Sequence, residues 1–488
     1  MKELLISRIE RFDFDSVFVQ DLIGGSRYTY HEFFSRVLSI THQFDLQNAP
    51  SHIVCIMDNS VELMAYYFAT ILSGRIAVAI DPVKGSDEIE DILSSINEKY
   101  VVIDDFANKK IHKSDKIIIS RSFKSFLTLC GNVKALVIDY LNKRDFKNDC
   151  LLTFTSGTSG NTKGVRNSLF NLCATAEAFN KCFNVGVEHV FAHLMPMTYM
   201  AGILNTIIQP FISGSKIVIM GRFSPMIAFS FWQNVATSGV NTLWLSPSML
   251  NIILKVGNEK VGVTYCNENE ILFFIGTAPL QQKTREQFEH KYNVTLYASY
   301  GLSETLFLST ETRETVIDGR DNVGRILDGV NYKFSDQGEF LVDVPWMYLG
   351  YTNENTADYF DGTYYKTGDL AEIKNNILQI TGRCKDLIIK GGMNISAALI
   401  EKTVLQLSGV EECAAFGVVN SFQEESVVLA YVSSEPEQLI EKAITILIND
   451  KLGRNYLIDT YYKVSAIPKN INGKIDKNTL KEQFKSSK

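Results

Sequence analysis

The sequence has few of the residues that mark non-globular proteins. Its 488 residues include only 10 prolines and 31 glycines, too few for a collagen-like or low-complexity chain. With 45% hydrophobic residues it is also too apolar to be disordered. The uncharged stretch 191–215 is interrupted by Pro196 and Pro210 and contains no run of about 18 purely apolar residues. It therefore predicts a buried core segment, one wall of an apolar pocket, rather than a membrane span.

Charge and cysteine patterns exclude further classes. The net charge of −7, without long blocks of one sign, offers no general attraction to nucleic acid or to an anionic membrane. The eight cysteines form no C-x-x-C pair, which favours reduced thiols over a disulfide framework or a metal site. Residues 1–15 carry charges throughout and lack the apolar core of a signal peptide. We expect a cytoplasmic protein with no nucleic-acid partner and no membrane insertion.

Hydrophobic periodicity predicts an α/β protein. Apolar runs at 53–57 and 76–80 read as strands, and helix-length segments at 61–74 and 87–96 follow them. This alternation, which returns over 217–275, is typical of a mostly parallel sheet. After about residue 320 short strands and turns dominate. The last hundred residues predict a separate unit with helices near 397–407 and 437–452 and strands near 412–419 and 426–432.

The strongest local motif is LLTFTSGTSGNTKGV, residues 151–165, where an apolar strand enters a loop of small and hydroxylated residues. Such a loop suits a polyphosphate, because backbone N–H groups can approach phosphate oxygens closely and Lys163 adds a mobile positive charge. It is not a Walker A motif, since Lys163 is followed by glycine, and no G-x-G-x-x-G fingerprint is present. Taken alone, the loop fits an ordinary surface turn equally well.

Four other segments have a chemical interpretation that is weak in isolation. LYASYGLSET, residues 296–305, places an aromatic ring beside a carboxylate and hydroxyls, and GTAPL, residues 276–280, ends an apolar run. These groups suit a stacked base and Mg²⁺ near phosphates. Asp369 could accept two ribose hydroxyls, and Lys474 stands in a polar loop. Turns, a helix cap and a surface lysine explain each of these segments singly.

In this order and with these separations, the motifs resemble the adenylate-forming superfamily, which contains acyl-CoA synthetases, adenylation domains of peptide synthetases and beetle luciferases. The resemblance covers nearly the whole chain, from residues 26–33 to Lys474. It implies an α/β fold with a large N-terminal domain of βα-layered subdomains, residues 1–384, that binds ATP and the carboxylate. A small α+β C-terminal domain, residues 385–488, would act as a mobile lid with its hinge at Lys385.

The resemblance also implies roles for individual residues. Lys474 would bridge the carboxylate and the α-phosphate, Ser303 would contact the α-phosphate, and Glu304 would hold Mg²⁺. Gly391 and Gly392 would line the channel of the acceptor thiol. The residues implied to bind the ATP phosphates, adenine and ribose are Thr155, Ser156, Gly157, Thr158, Ser159, Gly160, Lys163, Gly276, Thr277, Ala278, Pro279, Ser299, Tyr300, Gly301, Asp369 and Arg383.

The implied reaction is activation of a carboxylic acid by ATP and Mg²⁺ to an acyl-AMP, with release of pyrophosphate, followed by transfer to the thiol of CoA. The predicted acid pocket contains Tyr199, Gly202 and Trp244. Tyr199 takes the place of the aspartate with which peptide-synthetase domains hold an α-amino group, and of the histidine common in acyl-CoA synthetases. We therefore expect the substrate to be a small-molecule carboxylic acid, of any chain length, without an α-amino group.

The acceptor is open at this stage. KGGMNISAALIE, residues 390–401, lacks the proline of the family pattern, and FGVVNSFQEES, residues 416–426, also departs from it. The alternative acceptor is the phosphopantetheine arm of an acyl carrier protein, which would need a local basic surface such as Lys469, Lys474, Lys477 and Lys481. A non-catalytic binding protein on the same fold is the third interpretation.

Overall fold

The computed structural model describes residues 1–104, 107, 117–119, 131–156, 162–315, 322–352, 354–390, 393–419, 425–469 and 475–487; for residues 117–119, Ser156 and Thr162 it describes the backbone alone. The chain forms two compact units. The first comprises Met1–Val330 and Val344–Asp358. The second comprises Asn331–Asp343 and Tyr359–Lys488.

Helices and strands alternate through most of the described chain. The helices are α1 Lys2–Arg11, α2 Tyr30–Leu46, α3 Val61–Leu72, α4 Ser86–Ser94, α5 Val133–Asn142, α6 Leu169–Phe183, α7 Met200–Ile203, α8 Gln209–Ser213, α9 Pro225–Ser238, α10 Pro247–Val256, α11 Glu259–Glu268, α12 Gln282–Tyr292, α13 Ala397–Val404, α14 Glu437–Leu452 and α15 Lys477–Ser486. The strands are β1 Val17–Asp21, β2 Ser26–Thr29, β3 His52–Ile56, β4 Ile76–Ile80, β5 Lys99–Ile103, β6 Ile117–Ile119, β7 Asp149–Ser156, β8 Thr162–Ser168, β9 Val190–His193, β10 Lys216–Ile219, β11 Thr242–Leu245, β12 Leu272–Ile275, β13 Leu296–Leu302, β14 Leu306–Thr310, β15 Arg325–Ile326, β16 Asn331–Phe334, β17 Glu339–Asp343, β18 Gly350–Tyr351, β19 Phe360–Asp361, β20 Tyr364–Lys374, β21 Ile377–Arg383, β22 Leu387–Lys390, β23 Met393–Ser396, β24 Glu412–Val419, β25 Glu425–Val432 and β26 Thr460–Lys463.

Two mainly parallel sheets form the first unit. Among the described strands, one sheet has the order β15-β14-β13-β12-β11-β9-β10-β1-β2 and the other β18-β8-β7-β4-β3-β5-β6. The central strands of both are parallel, and antiparallel strands lie at the edges. β3 and β4 are continuous apolar runs, as expected of strands covered on both faces.

Local signals fix the elements between β3 and β4. The Ser60 side chain caps α3 by accepting the backbone N–H of Leu63, and Gly74 follows the helix with φ 75°, in the left-handed region that favours glycine. The predicted strand–helix–strand order over residues 53–80 is thereby confirmed, as is the helix at 87–96. α11, by contrast, was not predicted, because only Gly262 and Cys266 of its residues are buried and its apolar stripe is short.

The uncharged stretch 191–215 is a strand end followed by a continuous helical segment. α7 and α8 are joined by a π-helical turn at Leu204–Ile208, whose residues are all buried. Gly202 in α7 is required by packing, because a Cβ there would lie 1.9 Å from the carbonyl oxygen of Pro196. Among the helices that the structure describes, none combines the length and the apolarity needed to cross a membrane.

The second unit contains three smaller sheets. β16, β17, β20, β19 and β21 form an antiparallel sheet, β22 and β23 a hairpin, and β24, β25 and β26 a three-stranded sheet. Side chains of β24 alternate between two cores: Cys413 and Ala415 face α13 and α14, whereas Ala414 and Phe416 face α15. The predicted fold class, an α/β protein with a large N-terminal and a small C-terminal domain, is confirmed. The junction and hinge at Lys385 stay predictions.

Candidate functional site

The predicted phosphate-binding loop connects two antiparallel strands. β7 and β8 pair from Asp149 opposite Ser168 up to Ser156 opposite Thr162, with Thr155 opposite Lys163. The hairpin thus fixes both flanks of the loop. Outside the described residues lie Gly157, Thr158, Ser159 and Gly160, together with the side chain of Ser156, so their contacts with phosphate stay predictions.

Lys163 lies in a half-buried position beside an acidic and an aromatic side chain. Its Nζ is 2.7 Å from Oε2 of Glu354, and its side chain is 12% exposed. The same ammonium lies 5.2 Å from the centroid of the Tyr351 ring, within the range of a cation–π interaction. The predicted phosphate-binding cation is therefore held at a defined position by Tyr351, which ends β18, and by Glu354, which follows it.

Glu304 joins this cluster through Tyr351. The Tyr351 hydroxyl donates a hydrogen bond of 2.8 Å to Oε1 of Glu304, and the Tyr348 backbone N–H donates one of 2.9 Å to the Glu304 carbonyl oxygen. Asn167, on β8, donates to the carbonyl oxygen of Ser303 at 3.4 Å. The structure thus brings together the predicted phosphate-binding lysine, the predicted Mg²⁺ ligand and the neighbouring Ser303, although they are far apart in sequence.

The two segments predicted to hold adenine are also adjacent. Ser299 donates to the carbonyl oxygen of Ile275 at 3.2 Å, beside Gly276. The β13–β14 hairpin is irregular between Tyr300 and Gly301. Gly301 approaches the facing strand so closely that a Cβ there would lie 1.9 Å from the Leu306 carbonyl oxygen. Ser299, Tyr300 and Gly301 therefore lie next to the start of the stretch formed by Gly276, Thr277, Ala278 and Pro279.

Thr277 has a strained backbone. Its φ is 71°, in the left-handed region that β-branched residues rarely adopt. Such a conformation costs on the order of 1–3 kcal/mol and is concentrated at ligand-binding and catalytic positions. The strain marks the Gly276–Thr277 corner as a candidate contact point for a ligand; its role in binding adenine stays a prediction.

A buried ion pair supports the strand that leads to Tyr300. Arg285 Nη2 lies 2.6 Å from Glu311 Oε2, and their side chains are 1% and 0% exposed. Glu311 also accepts the backbone N–H of Ala298 at 2.6 Å, and Arg285 donates to the Leu296 carbonyl oxygen at 2.9 Å. Burial raises the pKa of the Glu311 carboxyl, while Arg285 opposes that rise.

Of the residues predicted for the acid pocket, Trp244 lies near the Gly276–Thr277 corner. Trp244 is buried, donates from Nε1 to Gln209 Oε1 at 2.9 Å, and packs in parallel against the Phe307 ring. A Cβ placed on Gly276 would lie 3.5 Å from the Trp244 ring, so this ring underlies the corner. Tyr199 is half-buried at the start of α7, where its carbonyl oxygen accepts the N–H of Ile203. Their contact with a substrate stays a prediction.

His193 is a buried histidine in the uncharged stretch 191–215, which also contains Tyr199. Its Nδ1 lies 2.6 Å from the Thr206 hydroxyl, and burial lowers the pKa of the imidazole to about 4. The ring is therefore neutral near pH 7 and bonded within the core. It does not supply the cationic or acid–base histidine that Tyr199 replaces in the family pattern.

In the second unit, the predicted ribose-binding pair forms a direct contact. Asp369 on β20 lies opposite Arg383 on β21, and Arg383 Nε is 2.8 Å from Asp369 Oδ1. The Asp369 side chain is 3% exposed, whereas that of Arg383 is 43% exposed. A partly exposed guanidinium thus forms an ion pair with a buried carboxylate. A role in ribose binding stays a prediction.

The hinge and lid predictions lie at or beside gaps in the described chain. Lys385 is exposed in a 3₁₀ turn, Cys384–Asp386. Gly391, Gly392 and Lys474 lie outside the described residues. The segment that carries Lys474 is flanked by a bridge between Lys469 and Ile475, and the Asp476 side chain caps α15 directly after it.

Four residues of this arrangement were not identified from the sequence: Tyr351, Glu354, Arg285 and Glu311. Their roles depend on contacts between separate segments: Tyr351 reaches Glu304 where β18 pairs with β8, and Arg285 on α12 contacts Glu311. For Tyr351 and Glu354 the available signal was the succession of an aromatic and an acidic residue after a glycine turn in LGYTNE, residues 349–354.

Comparison with known proteins extends this description. A family model described as "AMP-binding enzyme" matches residues 7–352, and one described as "AMP-binding enzyme C-terminal domain" matches residues 399–474. The chain is 26% identical over 458 residues to the long-chain-fatty-acid–CoA ligase FadD13 of Mycobacterium tuberculosis, covering 89% of this chain and 88% of that protein.

Two solved structures share the fold. ATP-bound MatB from Rhodopseudomonas palustris superposes with a TM-score of 0.83 at 20% identity, covering 99% of each chain. The amide bond synthetase McbA from Marinactinospora thermotolerans superposes with a TM-score of 0.82 at 19% identity, covering 99% of this chain and 100% of that one. At these identities the superpositions establish the shared architecture.

Proposed function

The chain belongs to the AMP-binding enzyme family, and on that premise we propose that it is an ATP-dependent ligase that activates a carboxylic acid without an α-amino group and transfers it to the thiol of CoA. The acid reacts first with ATP to give an acyl-AMP and pyrophosphate. The thiol then displaces AMP and forms a thioester.

One observation carries the proposal. Lys163 and Glu304, which are predicted to bind phosphate and Mg²⁺, contact the same side chain, Tyr351. The Lys163 ammonium lies 5.2 Å from its ring centroid, and Glu304 accepts its hydroxyl at 2.8 Å. A cation and a carboxylate joined in this way suit a polyphosphate with its metal ion. The cluster therefore supports binding of ATP with Mg²⁺, which acid activation requires.

The donor set fits Mg²⁺ bound mainly through ATP. Mg²⁺ usually takes one or two protein carboxylates together with substrate phosphates and water. Glu304 offers one carboxylate beside the hydroxyl of Ser303, and among the described residues no group of three or more His, Cys, Asp or Glu is arranged to hold a metal ion. When bound, Mg²⁺ would neutralise phosphate charge and stabilise the departing pyrophosphate.

The chain's own cations would make the first step feasible. A carboxylate oxygen must attack the α-phosphorus while the bond to pyrophosphate breaks, so two anions have to approach each other. Lys163 would hold the outer phosphates, and Lys474 would lie between the carboxylate and the α-phosphate. Asp369 would fix the ribose.

In the second step the thiol sulfur attacks the acyl carbonyl, the thiol proton passes to solvent, and AMP leaves with the oxygen that bridged acyl group and phosphate. Ion pairs formed by lysines of the C-terminal unit favour CoA over a carrier protein as the acceptor. Lys469 pairs with Glu412, and Lys477 pairs with Glu401 at 2.7 Å and is 18% exposed. These pairs offset the basic surface that an acidic carrier would need.

A screen of carboxylic acids tests the proposed function. With ATP and Mg²⁺, at least one acid should release pyrophosphate and amino acids should not, because Tyr199 provides no anion for an α-ammonium group. Addition of CoA should raise turnover and yield a thioester. Thioester formation only with a holo-carrier protein, or an amide with an amine, would reassign the acceptor. Absence of pyrophosphate release with every acid would refute activation itself.

Glu354→Gln should lower the KM for ATP. A phosphate that binds Lys163 has to compete with the Glu354 carboxylate, and removing that negative charge weakens the competitor. The pair is partly exposed, so we expect a decrease of about two- to fivefold, the size of an ion pair of this kind. The matched control is Glu314→Gln, which disrupts the exposed pair with Arg325. A raised KM would mean that Glu354 orients Lys163 for ATP instead.

A further inference from the structure

Tyr351 occupies a fixed place beside the strand that carries Lys163. It ends the short strand β18 and lies opposite Val165 of β8. Backbone hydrogen bonds on both sides complete the pairing, from Leu349 to Arg166 at 2.8 Å and from Thr352 to Gly164 at 3.0 Å. The residue is 6% exposed. Its backbone therefore has little freedom to move relative to β8.

The ring and the hydroxyl of Tyr351 have different partners. The ring faces the Lys163 ammonium at 5.2 Å and contacts the Tyr348 ring edge to face at 5.0 Å. The hydroxyl donates to Oε1 of Glu304 at 2.8 Å. Because Tyr348 also donates its backbone N–H to the Glu304 carbonyl oxygen, one short segment holds both the backbone and the carboxylate of Glu304.

We propose that Tyr351 is a positioning residue that sets the geometry of Glu304 toward Mg²⁺ through its hydroxyl and the geometry of Lys163 toward phosphate through its ring. This inference rests on the proposed function. A hydrogen bond to one carboxylate oxygen restricts rotation of the Glu304 side chain, so less entropy is lost when a metal ion binds. The ring attracts the ammonium without adding a negative charge, so unlike Glu354 it does not compete with a phosphate for Lys163.

Two substitutions separate the two contacts. Tyr351→Phe keeps the ring and removes the hydroxyl, whereas Tyr351→Leu removes both. Tyr348→Phe is the matched control, since it deletes a hydroxyl from the neighbouring ring and preserves the backbone N–H that Glu304 accepts. ATP binding is measured by titration calorimetry with and without Mg²⁺, in the absence of any acid, so the readout does not depend on catalysis.

Without Mg²⁺, Tyr351→Phe should bind ATP as tightly as the wild type. The increase in ATP affinity on adding Mg²⁺ should be about tenfold smaller than in the wild type, the size expected for loss of a hydrogen bond to a charged group. Tyr351→Leu should show this loss and a further weakening of roughly two- to fivefold without Mg²⁺, as expected for a lost cation–π contact. Tyr348→Phe should match the wild type in both conditions.

An undiminished Mg²⁺ effect in Tyr351→Phe would overturn the inference, and so would an equal loss in Tyr348→Phe, which would indicate packing alone. The outcome is distinct from failure of the proposed function. Wild-type protein that binds MgATP but releases pyrophosphate with no acid would refute acid activation while the binding comparison still decides the role of Tyr351. Wild-type protein without affinity for ATP would refute both.

Discussion

Replacing Lys474 by alanine should reduce acid-dependent pyrophosphate release by roughly a hundred- to a thousandfold, the usual effect of removing one group that stabilises developing charge in a transition state. In the proposed first step a carboxylate meets an α-phosphate, and Lys474 is the cation expected between them. The second step needs no such neutralisation. Thioester formation from chemically prepared acyl-AMP and CoA should therefore stay within a few-fold of wild type.

The matched control for this experiment is Lys485→Ala, which removes an exposed lysine from α15. It should leave both half-reactions unchanged. Pyrophosphate release near the wild-type rate in Lys474→Ala would show that another cation performs this role. An equal loss in both half-reactions would indicate damage to the fold of the C-terminal unit rather than loss of a charge.

Arg285→Met should lower the free energy of unfolding of the first unit by about 3–5 kcal/mol, the range found when one partner of a buried ion pair is removed. The substitution leaves the Glu311 carboxylate uncompensated at 0% exposure. It also removes the donor to the Leu296 carbonyl oxygen. The measurement is urea unfolding followed by tryptophan fluorescence, because Trp232, Trp244 and Trp346 all lie in the first unit.

Arg313→Met provides the comparison for Arg285→Met. Arg313 pairs with Glu270, but their side chains are 63% and 74% exposed, so this pair should contribute at most about 1 kcal/mol. Similar effects of the two substitutions would contradict the account of a buried, indispensable pair. A shallower fluorescence transition at an unchanged urea midpoint would point to altered cooperativity instead.

The elements that were predicted correctly owe their structure to local signals. β3 and β4 are unbroken apolar runs, and the α3 region begins at a serine cap and is followed by a glycine with positive φ. The alternation along β24 likewise follows from two apolar cores on opposite faces. Each of these patterns lies within about 5–15 consecutive residues, so it predicts its element without information about a distant partner.

The unpredicted parts depend on distant pairings. Tyr351 reaches Glu304 because β18 pairs with β8, and the hydrophobic periodicity of neither segment predicts that pairing. Arg285 and Glu311 are charged residues that local rules place at the surface, yet they are buried as a pair. The grouping of Asn331–Asp343 with the C-terminal half is also a property of three-dimensional contacts.

The resemblance to a known family identified candidate site residues where the chemistry of a single motif did not distinguish a functional from a structural role. Asp369 in a glycine turn is usually structural, yet its carboxylate lies 2.8 Å from Arg383, another residue that the resemblance implies in nucleotide binding. Resemblance does not choose the acid, because the predicted pocket takes its side chains from separate segments, around Tyr199 and around Trp244. The acid and the acceptor therefore have to come from experiment.

The most direct test of acid activation follows the carboxylate oxygens. An acid found in the screen is labelled with ¹⁸O in its carboxylate and converted to the thioester with ATP and CoA, and the phosphate products are analysed by mass spectrometry. Attack of the carboxylate on the α-phosphorus predicts one ¹⁸O atom in AMP and none in pyrophosphate. Label in pyrophosphate or orthophosphate, or AMP without label, would contradict the proposed acyl-AMP intermediate.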